Sequence, residues 1–130
     1  MRKTKPPTLN DIEALADAAW RAIPARLRAM AADIVIRVEE FPSAEIRRDM
    51  ALDSPFDLLG LYQGVALGER SVMDSTPDID MIFLYRRPLL DYWCETDEDL
   101  GHLVRHVLIH EIGHHFGFSD ADMTALEAED

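Results

Sequence analysis

The stretch from about Asp97 to Phe116 carries apolar residues on nearly every side of a single helix. A helix that is apolar all round is buried at the centre of its fold. We therefore predict a central helix here, around which the rest of the chain must pack. We expect Thr96 to cap its N-terminus and the acids Asp97 to Asp99 to complement its dipole.

The C-terminal half of this helix carries the pattern H-E-x-x-H-x-x-G-x-x-D. Residues four apart share a helix face, so His110 and His114 can present two imidazoles to one metal ion. Glu111 projects nearby, where its carboxylate can act as a general base towards water activated by the ion. Gly117 is a natural stop for the helix, and the turn lets Asp120 return as a third ligand. Two imidazoles and a carboxylate suit Zn²⁺, so the pattern predicts a zinc hydrolase site.

The residues of this pattern also have simpler interpretations. The two motif histidines can be helix residues satisfied by hydrogen bonds, and Glu111 can be a solvated residue, although its apolar neighbours favour the general base. Residues 119 to 122 also have the composition of a cap and first turn of a following helix, where acids are favoured without any metal. Asp120 is the preferred third ligand, and Asp122 is its alternative.

All five histidines of the chain fall within residues 102 to 115. His106 and His102 lie roughly 6 and 12 Å along the helix axis from His110, too far for both to share its ion. We interpret them as helix-surface residues. His115 points about 100° away from His114, so we expect it either to support the site from behind or to face solvent.

The chain resembles the small bacterial zincin-like metallopeptidase family, also described as a minimal metalloprotease-like domain. Its motif is close to that of metzincins, with aspartate in place of the third histidine. The other segments that carry the resemblance are Gly60–Val65, Glu69–Ser71 and Ile82–Leu89, so it covers most of the chain. The resemblance implies an α+β fold, in which a small mixed sheet packs on a central metal-binding helix beside N-terminal helices. It also implies that the metal ligands are His110, His114 and Asp120.

The resemblance to metzincins has a limit. Ten residues follow Asp120, which we expect to leave no room for the downstream Met-turn, and Met123 lies too close to replace it. In the zincin fold an edge strand pairs with an extended substrate, and the resemblance gives that role to Ile79–Arg86 or to the strand near Tyr62.

Three tyrosines are candidate hydrogen-bond donors to the oxyanion that develops during hydrolysis: Tyr62, Tyr85 and Tyr92. A core or surface role is the commoner one for each of them.

Composition and charge narrow the class of protein. A length of 130 residues predicts one domain spanning residues 1–130, with residues 1–8 flexible. The net charge of −12 argues against nucleic acid as a partner. No apolar run has the length of a membrane span and the start has no signal-peptide pattern, so we expect no membrane association and a cytoplasmic location. The single cysteine, Cys94, excludes an internal disulfide and is expected in the core or at the surface.

The remaining elements follow from periodicity and from turn residues. They are a helix starting near Asn10 and broken at Pro24, with a second segment carrying Leu27 and Met30; a strand over Asp33 to Phe41; a short helix over Ser43 to Leu52; a strand or irregular turn over Leu58 to Leu67; a strand over Asp80 to Arg86, closed by Pro88; and a short helix after Ser119.

These features favour a zinc metallopeptidase that hydrolyses peptide bonds, with a peptide or protein as its substrate. The alternative is a zinc-binding regulatory or interaction module with little or no peptidase activity. A metal-free structural domain is a third and more distant interpretation. Glu111 favours the zinc metallopeptidase, since a purely structural metal site has no need of a carboxylate beside its open position.

Overall fold

A computed structural model gives the structure of residues 5–64 and 80–128. In chain order these residues form α1 (Leu9–Ala22), α2 (Ala25–Met30), β1 (Val35–Glu39), α3 (Ala44–Asp49), β2 (Gly60–Gln63), β3 (Met81–Tyr85), α4 (Arg86–Glu95), α5 (Leu100–Phe116) and α6 (Asp120–Ala128).

The three strands form one mixed sheet in the order β1-β3-β2. β1 runs parallel to β3, with Val35 opposite Met81. β2 runs antiparallel to β3, with Gly60 opposite Leu84. The central strand is the most apolar of the three, and its Ile82 and Leu84 are fully buried. Helices with a small mixed sheet confirm the predicted α+β, zincin-like fold.

Helix α5 lies at the centre of the molecule, as its all-round apolar character predicts. It contacts the sheet through β2 and β3 and is also covered by α1, α4 and α6. Leu103, Val104, Leu108, Ile109 and Ile112 are buried on different sides of it. The hydrophobic core is therefore built around the helix that carries the histidine motif.

The two ends of α5 are fixed by different residues. At the N-terminus the side chain of Asp99 accepts a hydrogen bond from the amide of His102 at 3.0 Å. The prediction that Thr96 caps this helix is wrong, because Thr96 is the C-terminal cap of α4. At the C-terminus Gly117 adopts the left-handed conformation with φ 71° and ψ 30°, which confirms its predicted role as the helix stop.

The sequence patterns do not predict α4, which follows β3 without a loop. Pro88 is expected to close the strand, but it is the third residue of this helix. A proline is tolerated there because amides of the first turn have no partner within the helix. Arg86 anchors the start of α4, since its Nε donates to the carbonyl of Pro7 at 2.6 Å and its Nη1 lies 3.0 Å from Oε1 of Glu40.

The other predicted elements of residues 5–64 are present. The first helix breaks before Pro24, β1 and α3 lie within their predicted ranges, and β2 occupies part of the segment predicted over Leu58 to Leu67. Residues 65–67 of that segment, and residues 1–4 of the predicted flexible start, lie outside the described ranges. None of the helices in those ranges has the length and apolar character that crossing a membrane requires.

Candidate metal centre

One side of the histidine motif is bounded by β2. A Cβ atom added at Gly60 would lie 2.6 Å from Cγ1 of Val107 and 3.5 Å from Cγ of Glu111. The backbone of β2 therefore rests directly on the strip of α5 that carries these two residues. With roughly 100° between successive helix residues, this strip lies to one side of His110.

The opposite side is bounded by α6. A Cβ atom added at Gly113 would clash with Sδ of Met123, so α6 packs closely over this glycine. Gly113 projects roughly 60° from His110, on the side away from Glu111. The helix surface between α6 and β2 is therefore the strip that presents His110 and His114.

The two motif histidines differ in exposure. His110 is half-buried, whereas 55% of the His114 side chain is exposed. They are four residues apart on the strip between α6 and β2, and they belong to a helix that is otherwise largely buried. The motif therefore reaches solvent through this strip.

Glu111 is held firmly beside the histidines. It is only 8% exposed, and its Oε1 accepts a hydrogen bond from the backbone amide of Tyr62 at 2.8 Å. The same oxygen lies 3.1 Å from Nδ1 of His114. The interpretation of Glu111 as a solvated helix residue is therefore wrong, and its carboxylate has a fixed position between the strand and a motif histidine.

Behind Glu111 lies a polar cluster inside the protein. The hydroxyl of Tyr62 donates to Oδ1 of Asp80 at 3.1 Å and lies 3.0 Å from Nδ1 of His115. His115 is only 4% exposed, so of its two predicted positions the one facing solvent is wrong. The cluster holds the residue whose amide binds Glu111. Sequence reasoning misses Asp80 here, because one aspartate before a strand carries no pattern that links it to a distant histidine.

Asp120 is the first residue of α6 and is exposed. The cap predicted as its alternative role is present around it, since the amide of Ser119 donates to Asp122 and the amide of Asp122 donates to the hydroxyl of Ser119, each at 3.1 Å. The carboxylate of Asp122 is thus used by the cap. No hydrogen bond between the Asp120 carboxylate and another described residue competes with a metal for it.

Within residues 5–64 and 80–128, one group of three side chains brings potential ligand atoms within 4.8 Å of one another. It consists of His106, His110 and Glu127. His114 and Asp120 do not belong to this group, so the three ligands predicted from the motif do not meet at that spacing. Their assignment stays a prediction. The sequence pattern alone marks His106 as a surface residue and does not single out Glu127.

The candidate tyrosines have separate environments. Tyr62 uses its hydroxyl in the polar cluster, and Tyr92 is exposed on α4. Tyr85 is fully buried, and its hydroxyl has no hydrogen-bond partner among the described residues. Burial raises the pKa of Tyr85 to about 12, and the charges of Glu39 and Glu111 act in the same direction. A neutral phenol is therefore maintained beside the sheet.

The donor chemistry of α5 fits zinc. Imidazole nitrogens and carboxylate oxygens are the usual ligands of this ion outside thiolate sites, and the helix presents two histidines four residues apart. A small mixed sheet lies on this helix, and Glu111 is buried where β2 meets the helix. A sheet, a histidine helix and a buried glutamate in this arrangement define a zincin. The family model for zincin-like metallopeptidases matches residues 31–129, and the chain belongs to this family. No curated protein matches the chain.

Proposed function

We propose that this protein is a zinc-dependent peptidase whose metal is held by His110, His114 and Asp120 and whose general base is Glu111. The observation that carries the proposal is the fixed, buried carboxylate of Glu111 beside the exposed His114. Burying a carboxylate is costly, and a site that is only structural has no use for one in this position.

Zinc bound at such a site would polarise the peptide carbonyl and make a water molecule more acidic. The surroundings of His114 support binding of this kind. When the proton of its neutral imidazole is on Nδ1, the contact with Oε1 of Glu111 becomes a hydrogen bond. Nε2 then carries the free lone pair, which is the form in which an imidazole binds a metal.

The two oxygens of Glu111 have different roles in this proposal. Oε1 accepts the amide of Tyr62 and is thereby fixed in position. Oε2 accepts no hydrogen bond from the described residues, so it is the atom that takes the proton from the attacking water. The same carboxyl group then passes this proton to the leaving amine.

The sheet supports a peptide as the substrate. β3 is paired on both sides, so it is not an edge strand, and of the two predicted candidates only β2 remains. In the described part of the chain β2 pairs with β3 alone. An extended peptide that adds to its other side would run along the strip that presents His110 and His114.

The test is Glu111→Gln, compared with the wild type on a mixed peptide library and by elemental analysis for zinc. The amide oxygen of glutamine can still accept the hydrogen bond from Tyr62, but an amide cannot take up the proton. We expect zinc to be retained and cleavage to fall by about 10²-fold or more, in line with the contribution of a general base. Glu95→Gln, at an exposed position on α4, is the matched control and should cleave as the wild type does.

Full cleavage by Glu111→Gln with zinc bound would contradict the assignment of the base. Zinc binding by the wild type without cleavage of any library peptide would favour the alternative function, a zinc-binding regulatory or interaction module.

A further inference from the structure

A second group of potential ligands lies one turn before the catalytic motif. His106 and His110 are four residues apart on α5, and their ring centroids are 4.3 Å apart. Glu127 approaches from α6, and its Oε1 contacts Nδ1 of His106. Arg105 holds this end of α6 in place, since its Nη1 donates to the carbonyl of Glu127 at 3.0 Å.

The chemistry of this group is selective for a transition ion. Two imidazoles and one carboxylate are ligands for zinc and its neighbours, whereas calcium and magnesium prefer oxygen ligands alone. The side chain of His106 is 47% exposed and that of Glu127 is 20% exposed, so an ion can reach them from solvent. We propose that His106, His110 and Glu127 form a second zinc-binding position, distinct from the one that includes His114.

The two positions compete for His110. His106 and His114 are eight residues apart, or about 12 Å along the helix axis, so one ion cannot bind both. His110 lies midway and can serve either. The chain therefore binds one zinc ion, at one position or the other. The competition rests on the proposed function, which assigns the His114 position, but binding by His106 and Glu127 does not depend on any peptidase activity.

The simpler role for these residues is a hydrogen bond that joins α5 to α6. The contact between His106 and Glu127 serves this purpose without a metal. For an ion to enter, the carboxylate must swing away from Nδ1 of His106, because ligand atoms around one ion are about 3.3 Å apart at normal zinc bond lengths. Metal binding therefore separates the two interpretations.

The experiment titrates the metal-free full-length chain with CoCl₂, read by the visible absorption of the bound ion, and with ZnCl₂ by equilibrium dialysis. His114→Ala removes the catalytic position and leaves the second one. We expect this variant to bind one Co²⁺ ion. Adding His106→Ala or Glu127→Gln to it should weaken binding by at least about tenfold, since even partners that only orient a ligand contribute ten- to hundredfold.

The control is His102→Ala in the same His114→Ala background, because His102 is another exposed histidine of α5 outside the group. It should leave Co²⁺ binding unchanged. Circular dichroism verifies that each variant is folded, and His114→Asn replaces His114→Ala if the latter unfolds.

Equal Co²⁺ affinity with and without His106, or no binding by a folded variant lacking His114, would overturn the second position. Two Co²⁺ ions bound at once by the wild type would overturn the competition. Loss of cleavage bears only on the proposed function.

Discussion

The backbone amide of Tyr62 donates to Oε1 of Glu111 at 2.8 Å, across 49 residues of sequence. This bond joins β2 to α5 at the residue proposed as the base. The position of the base is thereby set by the sheet as well as by the helix. A displacement of β2 should change activity even if it leaves every metal ligand in place.

We expect Gly60→Ala to displace β2. The new Cβ would lie 2.6 Å from Cγ1 of Val107 and 3.1 Å from the carbonyl oxygen of Phe83, so it meets the helix and the neighbouring strand together. Such overpacking costs about 1–3 kcal/mol. Urea unfolding should show a decrease of that size in the free energy of unfolding, and peptide cleavage should fall as Glu111 loses its partner.

Gly101→Ala is the control for this substitution. Gly101 lies in the first turn of α5, and its new Cβ would lie 3.1 Å from Oδ2 of the capping Asp99 and 3.6 Å from Cδ2 of Leu15, so only the Asp99 side chain has to shift, and only by a few tenths of an ångström. Alanine is also favoured over glycine within a helix by about 1 kcal/mol. An equal loss of stability in both variants would contradict the close contact between β2 and α5.

His115→Ala should act on the base through Tyr62. The imidazole of His115 is buried and lies 3.0 Å from the Tyr62 hydroxyl, so its removal leaves a cavity and weakens the polar cluster. We expect the free energy of unfolding to fall by about 2–4 kcal/mol. Cleavage should fall through kcat, whereas zinc content should stay unchanged. His102→Ala, at an exposed position, should change stability by less than about 0.5 kcal/mol.

A loss of zinc from a folded His115→Ala variant would instead mean that His115 is a ligand. This measurement matters because the sequence places His114 and His115 side by side. Only their opposite exposure in the folded chain separates their roles.

Much of the chemistry of α5 follows from the motif itself. Histidines four apart share a face in any α-helix, and Gly117 stops the helix by a local conformational preference, so both follow from short-range geometry. The contact between Glu111 and Tyr62 depends on how β2 packs against α5. The contact between His106 and Glu127 depends on how α6 packs against the same helix. Such contacts between distant segments leave no periodic pattern in the sequence.

The same distinction explains the error at the start of α5. Residues 96 to 99 offer three residues that are favoured as helix caps, Thr96, Asp97 and Asp99, and local preference does not choose between them. The choice is made by α4, which the patterns do not predict. This helix ends at Glu95 and uses Thr96 as its own cap. Of the two aspartates that remain, Asp99 is the one directly before α5 and caps it.

Asp99→Ala therefore should destabilise the protein more than Thr96→Ala does. The Asp99 carboxylate accepts from the amide of His102, and loss of such a cap costs about 1 kcal/mol. The hydroxyl of Thr96 makes a longer bond of 3.4 Å, to the carbonyl of Trp93, and contributes less. Chemical denaturation of the two variants under identical conditions measures the difference. A larger effect at Thr96 would favour Thr96 as the cap of α5.

Tyr85→Phe should stabilise the protein, and most of all at alkaline pH. The buried hydroxyl lacks a partner among the described residues, so its removal should raise the free energy of unfolding by about 1 kcal/mol at neutral pH.

The phenol ionises near pH 10.0 in the unfolded chain, whereas burial raises the pKa of Tyr85 to about 12 in the folded one. Ionisation of Tyr85 therefore leaves the free energy of unfolding of the wild type unchanged below pH 10 and lowers it as the pH rises towards 12, because unfolding then releases a proton. Urea unfolding at neutral pH and at about pH 11 should show a smaller alkaline loss for Tyr85→Phe than for the wild type. Tyr92→Phe changes an exposed tyrosine, so between neutral and alkaline pH this variant should lose as much stability as the wild type does. An unchanged alkaline loss in Tyr85→Phe would mean that the phenol of Tyr85 ionises as readily in the folded protein as in the unfolded chain.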